Sequence, residues 1–188
     1  MYYSAYNKLF WGFVLIYIGI NIGNFDIFPD IVGYITVSVA LGELRGQHEI
    51  YKKGRLPAFI MIFYSAAEVI IRGSSINKAG LLQSHQIGYI LLWLFPSIIR
   101  MYMVYFICKG FYYVADEKQL GVFRETAKNR WKQFCWLTVP VLFILPFINN
   151  SEVWYIPSLI LVASYLIATI LILNLAYNAR NTLSGREG

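Results

Sequence analysis

Four ionisable residues interrupt otherwise apolar stretches of this chain, and two more bracket a proline nearby. Glu43, Glu68, Arg72 and Arg100 stand among Ile, Leu, Phe, Val and Tyr, while Asp26 and Asp30 flank Pro29 in the segment DIFPD. A charge held at mid-bilayer costs roughly 2.5 to 3.5 kcal/mol on insertion scales, so such a residue usually faces a partner or a wet cavity. The chemistry open to this set is recognition of a small polar or charged solute. Glu43, Glu68, Arg72 and Arg100 would line a ligand pocket, with Asp26 and Asp30 at its mouth. Glu68 and Arg72 are four residues apart and can pair on one helix face. Glu43 and Arg100 fall at matching depths, within about 3 Å, which leaves a Glu43–Arg100 pair geometrically open. Two alternatives stand beside that pair: Arg100 can snorkel toward the inner edge marked by Lys109, and Glu43 can meet Arg45. Pro96, one turn ahead of Arg100, can kink its helix and free a carbonyl for a polar guest. Asp30 can cap the helix it opens, or can join Asp26 in gathering a cation or cationic ligand. Two carboxylates fall short of the six to eight or so oxygens that calcium takes.

The elements that must position these residues follow from hydropathy. Of 188 residues 58% are apolar and 14% charged, and the mean hydropathy is +0.54, more apolar surface than a single soluble core of this size can bury. A spanning helix takes about 20 mostly apolar residues, and a barrel would show the alternation that is absent here. The expected fold is all-α: a polytopic membrane helical bundle of six transmembrane helices forming one domain over 1–188, with spans near 8–22, 31–44, 56–71, 86–108, 134–147 and 153–177.

Cationic loops resist translocation, which sets the sidedness. Arg45, Lys52, Lys53 and Arg55 lie between spans two and three; Lys118, Arg124, Lys128, Arg130 and Lys132 lie between spans four and five; Arg180 and Arg186 lie in the tail. These segments are expected in the cytoplasm, and with them both termini. The net charge of +6 reflects that bias together with attraction to anionic lipid, and does not point to nucleic acid. The first stretch follows MYYSAYNK, lacks an A-x-A-like site and leads at once into another, so it reads as a retained span.

Residues 116–134 place Leu120, Phe123, Ala127, Trp131 and Phe134 at steps of three and four, opposite a basic face. This predicts an amphipathic helix on the inner leaflet, serving as a lipid-resting connector or as the docking surface for a cytoplasmic or membrane protein partner. Tyr2, Tyr3, Tyr6, Tyr112, Tyr113 and Trp131 fit an inner aromatic belt, Trp154 and Tyr155 an outer one. Cys108 and Cys135 flank a cytoplasmic loop, where thiols stay reduced. With His48 on the inner side and His85 on the outer, neither a metal site nor a nucleophile–base pair is assembled, and no enzyme activity or cofactor is expected.

At GNFDIFPDIVGY the chain resembles a group of small, uncharacterised bacterial polytopic membrane proteins whose first hairpin reads D-I-x-P-D-x-x-G-Y, here Asp26, Ile27, Pro29, Asp30, Gly33 and Tyr34. That likeness covers about the first 45 residues. It implies a multi-pass protein of the bacterial inner (plasma) membrane and no particular activity. In size and topology the chain is also similar to the substrate-binding subunits of energy-coupling-factor vitamin transporters, although their small-residue coupling motif is not evident in LFWGFVLIYIGINI. Two functions are carried forward. One is an interaction, accessory or regulatory subunit; the other is a protein that binds or transports a small solute through a polar intramembrane pocket.

Overall fold

The computed structural model describes residues 2–17, 28–73, 86–144 and 155–184. Among them the chain forms six helices and no strand: α1 (Tyr3–Tyr17), α2 (Phe28–Leu44), α3 (Ile50–Gly73), α4 (Gln86–Glu117), α5 (Gly121–Ile144) and α6 (Tyr155–Thr182). Each helix packs on its chain neighbours, and α6 returns to α1, so the six close into a ring.

One end of the ring is held by a polar knot. Tyr6 Oη on α1 donates to Gln47 Oε1 in the α2–α3 turn at 2.6 Å, and Gln47 Nε2 donates to the Leu183 carbonyl beyond α6 at 3.3 Å. Lys118 Nζ, in the α4–α5 turn, reaches the same carbonyl at 2.8 Å. Arg180 Nη1 donates to Asn7 Oδ1 at 3.0 Å and lies over the Tyr177 ring, tying α6 to α1. The starts of α1, α3 and α5 and the ends of α2, α4 and α6 therefore share this end, and neighbouring helices run antiparallel.

Helix ends depart from the hydropathy boundaries. α1 starts at Tyr3 rather than residue 8, α3 at Ile50 rather than 56, and α4 runs to Glu117 rather than 108. Extending an existing helix adds one hydrogen bond per residue fixed, so polar sequence does not stop it. α4 stops at a Schellman motif: Leu120 N–H bonds the Ala115 carbonyl at 2.8 Å and Gln119 N–H bonds the Asp116 carbonyl at 3.0 Å, with Gln119 at φ 57°. A left-handed non-glycine residue costs about 1 kcal/mol or more. Gln119→Gly is accordingly expected to stabilise the fold by about 1 kcal/mol, read as a raised unfolding midpoint in detergent. An unchanged or lowered midpoint would refute strain at this turn.

The expected separate amphipathic helix is corrected. Residues 116 and 117 finish α4, and from Gly121 the segment is the first half of α5, which continues unbroken to Ile144. The stripe packs on protein: Phe123, Ala127 and Phe134 are buried, and Leu120 and Trp131 rest against the same core. Phe123 meets Phe111, and Trp131 meets Tyr105 with ring centroids 5.2 Å apart. A three-residue turn folds α5 back along α4, so the stripe is covered by α4.

Away from the knot the ring turns apolar side chains outward. Val32, Ile35 and Val39 on α2, Phe59, Phe63 and Ile70 on α3, Phe95 and Ile98 on α4, and Ile160, Ile167 and Ile170 on α6 are exposed. Among the described residues, two helical segments, Leu94–Glu117 and Leu159–Thr182, are long and apolar enough to cross a membrane.

Candidate functional site

Five of the six helices among the described residues turn one face each toward a partly open cavity of about 400 Å³. α2 contributes Asp30, α3 contributes Tyr64 and Glu68, and α4 contributes Pro96, Ser97, Arg100 and Met101. α5 adds Phe134, Thr138, Val141 and Leu142, and α6 adds Leu161, Val162, Tyr165 and Leu166. The spacings within each set, such as Tyr64 to Glu68 and Thr138 to Leu142, are one helical turn, which is why each helix presents them together.

Arg100 is the centre. Its Nε donates to Tyr34 Oη on α2 at 3.1 Å and its Nη1 donates to Tyr165 Oη on α6 at 2.7 Å, so one guanidinium joins three helices. Tyr34 is fully buried, and Tyr17 of α1 stands behind, its ring 6.4 Å from that of Tyr165. Both hydrogen-bond partners are neutral. The carboxylates of Asp30 and Glu68 line the same cavity as Arg100. Asp30 precedes Tyr34 by four residues, so its carboxylate lies about one turn, roughly 5 Å, further from the knot on the same face of α2.

Two hydroxyls in this region are buried without a hydrogen-bond partner, Thr138 Oγ1 in the cavity wall and Tyr17 Oη behind it. Buried polar atoms are satisfied in the great majority of native proteins, so each such group calls for an explanation. The cavity thus has a charged side, made by Asp30, Glu68 and Arg100, and an apolar side made by Phe134, Val141, Leu142, Leu161 and Leu166.

Three of the six residues singled out by charge, Asp30, Glu68 and Arg100, meet here. Asp26 and the Arg72 side chain lie outside the described residues. Asp30 sits within the first turn of α2 rather than ahead of it, so it complements the helix N-terminus without being its cap. Glu43 does not pair with Arg100. It forms an ion pair with Lys8 of α1 near the knot, because nine residues beyond Tyr34 are about two and a half turns, which puts it on the opposite side of α2. Pro96 lies in the cavity wall, and α4 continues helical through it.

No family model, curated protein or solved structure matches the chain. The site must be read from its own chemistry.

Missed by charge alone were Tyr34, Tyr64, Ser97, Thr138 and Tyr165. Tyr165 had a signal, since Ser164 and Tyr165 break the aliphatic run LILVASYLIATILIL of α6. Tyr34 sits one turn after Asp30, inside the D-I-x-P-D-x-x-G-Y segment.

Proposed function

We propose that this chain is a multi-pass protein of the bacterial inner membrane, six crossings with both termini cytoplasmic, that binds and carries a small zwitterion with an apolar body. The observation carrying the reading is the pairing, in one partly open cavity, of a guanidinium held by two tyrosine hydroxyls with two carboxylates and an aliphatic wall. Arg100 retains N–H donors for a carboxylate, which a guanidinium fork matches geometrically. Asp30 and Glu68 suit an ammonium group about one turn away. Phe134, Leu142, Leu161 and Leu166 accept the apolar remainder. A volume of about 400 Å³ lies at the small end of the roughly 300 to 1,000 Å³ typical of small-molecule sites.

The membrane setting is supported by the outward apolar faces, by the two long apolar helical segments, and by the gathering of Arg45, Lys52, Arg55, Lys118, Arg124 and Arg180 at one end. The accessory-subunit reading has less to stand on. The stripe that would have met a partner is buried on α4, and the exposed face of α5 is polar between Val122 and Trp136.

The test uses three probes of one carbon skeleton with the purified protein in lipid nanodiscs: leucine, 3-methylbutylamine and 4-methylpentanoate. Leucine is expected to bind, and each analogue lacking one charge to bind about tenfold or more weakly, since a hydrogen bond to a charged group contributes about 1.5 to 3 kcal/mol. Equal binding of all three, or of none, would overturn the reading.

A further inference from the structure

A second concavity, of about 320 Å³, lies on the outside of the bundle beside the polar knot, between the end of α2 and the start of α3. Its lining is Leu41, Gly42, Arg45, Lys52, Arg55, Leu56 and Phe59. We propose that this groove is a binding site for one anionic phospholipid, its phosphate held by Arg45, Lys52 and Arg55 and its acyl chain laid along Leu56 and Phe59.

Three observations lead there. The first is charge without a counter-charge: Arg45, Lys52 and Arg55 make no ion pair or hydrogen bond through their side chains among the described residues, although most other cations of the knot do. Glu49, just ahead of α3, pairs with none of them. The second is an electrostatic mismatch within α3 itself. Its first turn carries Lys52 and Lys53 and no acid, whereas a helix N-terminus favours anions. A phosphate in the groove neutralises the cations and complements the positive end of the helix dipole. The third is continuity with the apolar coat. Leu56 and Phe59 are 64% and 51% exposed, and Phe59 stacks edge-on against Phe63 further along the same face, so the floor of the groove leads directly into the outward apolar surface of α3.

The groove has a built shape as well. Arg55 lies beside Gly42, where a Cβ would be in ordinary van der Waals contact with its guanidinium, 3.6 Å from Cζ. Lys52, Arg55, Leu56 and Phe59 follow steps of three, four and seven, one face of α3 with its cations at the knot end and its apolar residues beyond. A phosphodiester with a hydrocarbon tail has that same polarity along its length. A soluble anion lacks the apolar half, and the groove floor runs into the outward apolar surface of α3, which is why a lipid is the occupant.

This inference rests on the reading that the apolar faces meet lipid, not on the cavity around Arg100. The experiment is native mass spectrometry of the full-length protein released from micelles, titrated with dioleoyl phosphatidylglycerol, dioleoyl phosphatidylcholine or glycerol 1-phosphate. One phosphatidylglycerol is expected to be retained in preference to phosphatidylcholine, and glycerol 1-phosphate is expected not to displace it. The triple variant Arg45→Gln, Lys52→Gln, Arg55→Gln is expected to lower that affinity by about tenfold or more, and the equal-charge control Lys128→Gln, Arg130→Gln, Lys132→Gln by about twofold or less. Should the first triple variant melt early, Arg55→Gln alone carries the test, with an expected loss of about threefold.

Equal losses in both triple variants would overturn the groove in favour of diffuse surface charge. Displacement by glycerol 1-phosphate would replace the lipid with a free-phosphate site. A protein that stays soluble without detergent would sink the membrane reading and this inference together, whereas a membrane-inserted protein indifferent to headgroup charge would sink this inference alone.

Discussion

Replacing Arg100 by Leu is expected to weaken leucine binding by about a hundredfold while leaving 3-methylbutylamine binding within about twofold and the folded state near its original stability. The binding loss follows from removing a two-pronged charged donor to the carboxylate, each prong contributing about 1.5 to 3 kcal/mol, where 1.4 kcal/mol is tenfold. The muted effect on stability comes from opposing changes. Loss of the guanidinium leaves Tyr34 Oη and Tyr165 Oη without their partner, at about 1 to 3 kcal/mol each. Against this stands relief from holding a desolvated ion, several kcal/mol after relaxation. Arg100→Lys keeps the charge but is a compact ammonium that cannot bridge two hydroxyls on α2 and α6 and also fork a carboxylate, so it should recover only part of the affinity. Leucine binding that survives Arg100→Leu would refute the site. Equal loss of leucine and the amine would show that Arg100 shapes the cavity and does not read the carboxylate.

How much of this was legible in the sequence depends on which physical variable each conclusion needs. Helical class needed only hydropathy in long runs, and the described residues are helical throughout their elements. Helix ends needed backbone energetics, which the apolar pattern does not report: α4 passes through Lys109 and Asp116 and stops only where Gln119 turns left-handed. The stripe from Leu120 to Phe134 was visible as a pattern, but whether lipid or protein covers it depends on the three-residue turn that lays α5 on α4.

The site divides in the same way. Glu68 and Arg100 stand out because charge in an apolar run is costly wherever it points, and Asp30 because it brackets Pro29 with Asp26. Glu43 was matched to Arg100 by depth, which ignores rotation about the helix axis; half a turn sends it to Lys8 instead. Tyr34 and Tyr165 were hidden because tyrosine is common at membrane interfaces, so its type does not distinguish a belt residue from a guanidinium's partner. Position does distinguish Tyr165: a tyrosine far from either end of an aliphatic helix has no interface to serve.

The same distinction between residue type and placement governs Gly33, where a large structural effect is expected. α1 and α2 cross with their backbones in contact: a Cβ on Gly33 would stand 3.0 Å from the Gly12 carbonyl oxygen and 2.7 Å from Ile16 Cγ1, and one on Gly12 would stand 3.1 Å from the Gly33 carbonyl oxygen. A carbonyl on a rigid helix cannot rotate away as a side chain can. Gly33→Leu must therefore push the two helices apart, with an expected loss of about 3 kcal/mol or more, at the upper end for overpacking. The displacement also reaches the cavity, because Tyr34 is the next residue on α2 and its hydroxyl holds Arg100 Nε. Leucine binding is then expected to fall along with stability, unlike the Arg100→Leu case, where binding falls and stability holds. Gly121→Ala is the control: a Cβ there meets nothing within 4 Å, so its unfolding midpoint and its leucine affinity should both stay close to the parent values. If Gly33→Leu melts with the parent protein in detergent, the α1–α2 crossing is looser than its carbonyl contacts require. If it melts early but binds leucine normally once folded, Tyr34 does not transmit the crossing to Arg100.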